Sequence, residues 1–119
     1  MASNVYGTRV AFETLREATP AQIGVAYAAV GTALANACRL LNIQNASDGD
    51  IYISFDGTNN HIHLGAVSTG NAAQRQYNFQ ENAIDGQTYL LAKGTTIYAK
   101  DGASAPANGN LIIEVVYAS

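Results

Sequence analysis

Between Arg39 and Leu64 the chain alternates apolar and polar residues through three short runs, broken by Asp48-Gly49 and Asp56-Gly57. In the middle run Ile51, Ile53 and Phe55 alternate with Tyr52, Ser54 and Asp56. A period of two places one set on each face of a strand. The preceding run repeats the pattern with Arg39, Leu41 and Ile43, and the following run with Ile62 and Leu64. Glycine accepts positive φ and aspartate can bond its own backbone, so each Asp-Gly is a turn signal with a mechanism. The stretch predicts a β-meander of three antiparallel strands joined by two tight turns. Ile51, Ile53 and Phe55 are expected to face inward.

The rest of the chain reads in the same register. LIIEVVYAS at the end puts Leu111, Ile113, Val115 and Tyr117 on one face and Ile112, Glu114 and Val116 on the other. Apolar residues on both faces predict a strand covered on both sides. TTIYAK sets Ile97 and Ala99 against Thr96, Tyr98 and Lys100, after a Lys93-Gly94 turn. Tyr77 and Phe79 mark a short strand before a turn at Asp85-Gly86, and DGASAPANGN reads as a loop. Residues 1–20 read as an N-terminal arm with a possible first strand over Thr8 to Leu15, in which Val10 and Phe12 share a face. Residues 21–119 read as a single domain. The segment AQIGVAYAAVGTALANA is ambiguous. A helix would align Ile23, Tyr27, Val30 and Leu34, but Gly24 and Gly31 each cost ~1 kcal/mol there relative to alanine. An extended chain would group Ile23, Val25 and Tyr27 and turn at Gly31-Thr32, and the flanking pattern favours it. About seven or eight short strands, with turn signals every ~8 to 12 residues, predict an all-β fold: an antiparallel β-sandwich or small barrel of jelly-roll or Ig-like type.

Only 13% of the 119 residues are charged, against about 25% in ordinary domains. So neutral a surface is expected to be covered in part by other subunits. The net charge is −3, and Arg9, Arg16, Arg39, Arg75, Lys93 and Lys100 do not cluster. That disfavours nucleic-acid binding, which needs a basic patch along the phosphates. No apolar run is long enough for a membrane helix. MASNVYGTR lacks a signal pattern, so synthesis in a cytoplasm is expected. The single cysteine, Cys38, has no disulfide partner and sits in an apolar run, as a small buried residue would.

No sequence element encodes a reaction, and no catalytic residue, cofactor site or metal site is assigned. His61 and His63, at i and i+2, would share a face, with Asp56 in reach as a third ligand. No second cysteine or third histidine completes such a set, and a solvent-facing pair beside a polar turn explains them more simply. ASDGD and DGTNN look like pieces of a calcium loop but lack its twelve-residue spacing. Asn45-Ala46-Ser47 matches a glycosylation sequon, to which the missing signal peptide gives little meaning. Seven tyrosines and no tryptophan are spread along the chain. Tyr52 and Tyr98 fall opposite the apolar set, where exposed tyrosine serves protein or carbohydrate interfaces. In the arm, Val5 and Tyr6 are the sizeable side chains after Met1 and would anchor an assembly element. Val5, Tyr6, Tyr52 and Tyr98 are therefore the candidate partner-interface residues.

Four pieces together, AVGTALANACRLLNIQN, DGDIYISFDGTNNH, LLAKGTTIYAK and LIIEVVYAS, resemble small virion structural proteins of tailed bacteriophages. In these a strand ending in N-x-[ST]-D leads to one ending in S-F-D-G, then to [KR]-G-T-x-[IV]-Y and a terminal E-V-x-Y. Asn45, Ser47 and Asp48 match the first element, Ser54 to Gly57 the second, Lys93 to Tyr98 the third, and Glu114 to Tyr117 the last. Where such proteins carry proline in the VGT-x-L segment, this chain has Ala33 and Ala35. The resemblance implies a non-enzymatic, β-rich virion part made in the host cytoplasm. A capsid decoration or cement protein that binds between major capsid subunits is the expectation, with homo-oligomerisation and other virion proteins as partners. A ring-forming head–tail connector or tail component is the alternative, and a carbohydrate-binding module is the alternative from a different class.

Overall fold

The computed structural model describes residues 10–66, 76–80 and 90–118. Their backbone is almost wholly extended, with nine strands and a single 3-10 turn at Pro20–Gln22. The strands are β1 (Val10–Phe12), β2 (Arg16–Ala18), β3 (Ala28–Ala29), β4 (Cys38–Asn45), β5 (Ile51–Ser54), β6 (Ile62–Leu64), β7 (Gln76–Gln80), β8 (Tyr98–Asp101) and β9 (Leu111–Ala118). They form two antiparallel sheets. The larger runs β1–β9–β4–β7, with β2 also on β9, and the smaller runs β3–β8–β5–β6. The fold is an antiparallel β-sandwich.

Alternation decides which side chains fill the space between the sheets. Leu41 and Ile43 from β4 and Leu111, Ile113 and Val115 from β9 meet Ile51 and Ile53 from β5, Ile62 and Leu64 from β6 and Ala99 from β8, all buried. Phe55, expected inside with Ile51 and Ile53, lies past the end of β5 and is only half-buried, packed against the rim of this cluster. β9 is the central strand of its sheet, bonded to β4 on one side and to β1 and β2 on the other.

The expected meander is half right. β5 and β6 are a hairpin, with Ile53 opposite Ile62 and Ile51 opposite Leu64. β4 and β5 are not: β4 belongs to the larger sheet and β5 to the smaller, so residues 46–50 cross from one layer to the other. An Asp-Gly turn permits a sharp change of direction but does not say which strand pairs next.

Two one-residue irregularities re-aim side chains. Phe12 lies opposite Val116, but Arg16 lies opposite Ile113. Four residues on one strand therefore face three on the other, a β-bulge. It switches the parity of the edge, so Phe12 stays outside while Arg16 and Ala18 turn in and are buried. A register shift between Cys38 and Leu40 similarly lets both Cys38 and Leu41 point inward.

Residues 21–37 are neither the expected strand nor a helix. β3 and the end of the 3-10 turn are its regular pieces. The grouping of Ile23, Val25 and Tyr27 fails, because Ile23 is buried, Val25 exposed and Tyr27 half-buried. The turn at Gly31 is present, at φ 73°. The segment is tied at points to residues 94–97: the Val30 N–H donates to the Ile97 carbonyl (2.7 Å), Leu34 N–H to Thr95 (2.8 Å), and Gly94 N–H to Leu34 (2.8 Å). Backbone bonds to another segment thus replace those of a helix.

Candidate binding faces

β-pairing assembles a polar aromatic row on the outward face of the smaller sheet. Tyr52 lies opposite Lys100 on β8 and opposite His63 on β6, and Tyr98 lies opposite Ser54. The Tyr52 and His63 rings sit 5.1 Å apart, tilted by 51°. The Lys100 ammonium lies 4.9 Å from the Tyr27 ring centroid and 5.9 Å from that of Tyr52, within cation–π range. The Tyr27 hydroxyl donates to Asn60 Oδ1. Partial burial, with Asp56 and Tyr52 nearby, pushes that hydroxyl above its usual value. It is a neutral donor across the physiological range. The two tyrosines singled out from alternation, Tyr52 and Tyr98, thus share one face. Tyr27, Asn60, His63 and Lys100 join them. Lys100 could have been read from its two-residue spacing after Tyr98. Tyr27 could not, because its segment has no period. Val5 and Tyr6 lie outside the described residues.

The histidines share the exposed side but not a task. The Phe55 N–H donates to His61 Nδ1 (3.0 Å), and the His61 ring stacks on that of Phe55 at 5.7 Å. His61 Nε2 is 3.8 Å from Asp56 Oδ2, while His63 rests on Tyr52. Asp56 is already committed: Oδ1 accepts from Thr58 N–H (2.8 Å), Asn59 N–H (2.9 Å) and Ser54 Oγ (2.8 Å), and Oδ2 from the Asn59 side chain (2.7 Å). Among the described residues no three His, Cys, Asp or Glu side chains gather as a ligand set.

The other acidic turn is bound just as fully, but to a distant segment. Asp48 Oδ1 accepts from Ala107 N–H (2.7 Å) and Asn108 N–H (3.0 Å), and Oδ2 from the Asn108 side chain (3.1 Å). Those amides hold the Asp48 carboxyl down at about 2. Below it, the Asn45 side chain is fully buried. Its Nδ2 donates to the carbonyls of Gly49 (2.8 Å), Gly65 (3.0 Å) and Leu64 (3.2 Å), and its Oδ1 accepts from Ser47 N–H (2.9 Å) and Oγ (2.6 Å). An amide so enclosed cannot reach a glycosyl donor in the folded chain. Cys38 is enclosed too, and burial pushes its thiol up, despite a bond from the Leu91 backbone that acts the other way.

Opposite in character is the outward side of the larger sheet. There Phe12 (73% exposed) and Leu15 (47%) stand beside Leu40 and Val116, lining a groove of about 620 Å³ with Glu13 and Glu114 at its margin. The groove is open because the bulge at residues 13–15 leaves Phe12 outside. Behind it, Arg16 is the tie that holds the bulge. Its NH2 donates to Glu13 Oε1 (2.9 Å) and, with Nε, to the Thr32 carbonyl (both 3.2 Å). Glu13 Oε2 accepts from the Asn36 N–H (2.9 Å) and side chain (3.2 Å). Burial opposes ionisation of Glu13, but these bonds outweigh it and hold its carboxyl below the usual value.

Comparison of the chain with protein-family models, curated proteins and solved structures finds no match. What the faces can do is therefore argued from their chemistry. The larger sheet offers an apolar ridge and groove, suited to another protein surface. The smaller offers Tyr98 together with Tyr27 and Tyr52, and the rings of the last two are engaged by Lys100 and His63, leaving less open ring face there for a sugar to stack on.

Each of the four motif pieces read from the sequence has a structural task. N-x-S-D is the sheet-to-sheet crossover. In S-F-D-G, the Ser54 hydroxyl donates to Asp56 and accepts from the Gly57 N–H (3.0 Å). K-G-T-x-I-Y places Gly94 at φ 92° and Ile97 in the core, and E-V-x-Y is the end of β9.

Proposed function

We propose that this chain is a structural subunit of a tailed-bacteriophage particle, acting as a capsid decoration or cement protein. It would bind between major capsid subunits, other virion proteins or further copies of itself, and carry out no reaction. The observation that carries the reading is the outward apolar groove around Phe12 and Leu15 on the larger sheet. A monomer that keeps a phenylalanine 73% exposed beside a groove of about 620 Å³ gains from covering it, at ~25 cal/mol per Å² of apolar surface. Repeated over many copies, even a modest interface stabilises a shell. The low charge and the four phage-like motif pieces support the same reading.

The test is co-sedimentation of the purified chain with phage heads lacking it. Phe12→Asp should abolish binding while leaving the melting curve nearly unchanged, since Phe12 contributes little to the core. Retained binding by that variant would remove the groove from the interface. Deleting residues 2–7 tests Val5 and Tyr6 in the same assay: weaker assembly at an unchanged melting temperature is expected. Copy number decides between decoration, with on the order of hundreds per particle, and a connector or tail ring, with roughly six to twelve. The carbohydrate-binding alternative rests on Tyr27, Tyr52 and Tyr98. Specific glycan capture, lost on Tyr52→Ala, would favour it.

A further inference from the structure

The loop at residues 102–110 is laid along the crossover at residues 46–50. Ala46 N–H donates to the Asn110 carbonyl (3.0 Å), Asp48 N–H to Asn108 (3.0 Å), and Asp50 N–H to Ser104 (2.8 Å). Contact is so close at Gly109 that a Cβ there would lie 2.2 Å from the Ala46 carbonyl oxygen, and its φ is +84°. Glycine is therefore required at 109, and the residue before it is asparagine. Glycine is the least hindered nucleophile an asparagine side chain can have as its neighbour. Both residues are exposed, and the Gly109 N–H has no hydrogen-bond partner among the described residues. Asn108 itself is held three ways by Asp48, through its N–H, its carbonyl and its Nδ2.

We propose that Asn108-Gly109 is a site of spontaneous deamidation, guarded by Asp48 and irreversible once the loop has opened and reacted. The Gly109 nitrogen loses its proton to solvent base and attacks Asn108 Cγ. The new C–N bond closes a succinimide, the Cγ–Nδ2 bond breaks, and Nδ2 leaves as ammonia with a solvent proton. Water then opens the ring at either carbonyl, leaving aspartate or isoaspartate at 108. Nothing is oxidised or reduced. Attack needs Asn108 to leave its bonds to Asp48, so only the open loop reacts. Closure afterwards would set a carboxylate where Nδ2 now donates to Asp48 Oδ2 at 3.1 Å, and like charges at that range repel. The isoaspartate form also lengthens the main chain beside the tightly packed Gly109. The modification thus fixes the loop in its open state.

The test follows intact mass and peptide maps of the full chain incubated at mildly alkaline pH. Folded wild type should convert Asn108 at least about tenfold more slowly than the urea-unfolded chain, and Asp48→Ala should recover most of that difference. Asn108→Asp, which copies one product, should show faster amide exchange at Ala107 and Asn108 with exchange at Ile113 and Val115 unchanged. Equal rates in folded and unfolded wild type would remove the guard, even if Asp48→Ala does not fold. An unfolded chain that stays unmodified at Asn108 would remove the site. Undisturbed exchange in Asn108→Asp would remove the irreversibility.

Discussion

Two Asp-Gly turns, Asp48-Gly49 and Asp56-Gly57, look alike as sequence and do different work. In the turn after β5, the hydrogen bonds to the Asp56 carboxylate come from residues 54 to 59. The carboxylate is satisfied within the hairpin end, and the Tyr27 hydroxyl reaches that end from a distant segment through Asn60. In the crossover after β4, Asp48 reaches residues 107 and 108, and Asn45 reaches Leu64 and Gly65. That turn joins both sheets and the last loop. The same residue types give local order when their partners are sequence neighbours and global order when they are not.

The sharpest way to break this comparison is Asn45→Ala. It strips partners from three buried carbonyls and from Ser47, and should lower stability by about 3–4 kcal/mol in chemical denaturation. A loss under about 1 kcal/mol would mean that the crossover is no more important than a hairpin turn. Next are the glycines. Gly49→Ala would put a Cβ 2.2 Å from the Pro106 nitrogen, an overpacking of main chain against main chain that should cost about 2–3 kcal/mol. Gly57→Ala meets only the Tyr98 ring at 3.2 Å, at a φ of +78°, and should cost about 1 kcal/mol. Melting of the two variants side by side checks the order, and a reversed order would sink the distinction.

Acid gives the smallest and most local contrast. Both folded aspartates lie below the unfolded value of about 3.9, Asp48 at about 2 through Ala107 and Asn108, Asp56 further down through Asn59 and Thr58. Each therefore contributes stability that is complete above pH ~4 and fades as pH falls through the folded value. As pH falls from 4 towards about 2, amide protection at Ala107 and Asn108, taken relative to the intrinsic exchange rate, should fall as Asp48 is protonated. Asp48→Asn should remove the acid response at 107 and 108 only. Loss of the acid response at Thr58 and Asn59 as well in Asp48→Asn would show one cooperative unit instead of two.

Much of the sandwich was legible. β5, β8 and β9 carry clean two-residue alternation, and their inward residues Ile51, Ile53, Ala99, Ile113 and Val115 are all buried. Phe55 shares the phase of Ile53 but not its burial, because β5 ends at Ser54 and the chain turns away. Residues 21–37 were illegible for another reason. Ile23, Val30 and Leu34 are buried by a chain that meanders along the core and bonds to residues 94–97, and such a path has no period. On the binding side, the alternation of Tyr52 and Tyr98 was enough to put both on one outward face. The groove was not visible, because Phe12 follows the same pattern as a core residue until the bulge at 13–15 is known.

By itself the sequence determined the all-β class, the inward phase of the regular strands and the breaks at Asp48-Gly49, Asp56-Gly57 and Lys93-Gly94, while the turn expected at Asp85-Gly86 lies outside the described residues. Those depend on the alternation of Cβ directions and on the φ freedom of glycine, both properties of neighbouring residues. Only the tertiary structure decided that the first Asp-Gly turn changes sheets, that Arg16 points in while Phe12 points out, and that Asp48 holds Asn108. Each of these depends on which segment lies across from which. A bulge of one residue or a choice of partner strand changes that without altering the local pattern on either side.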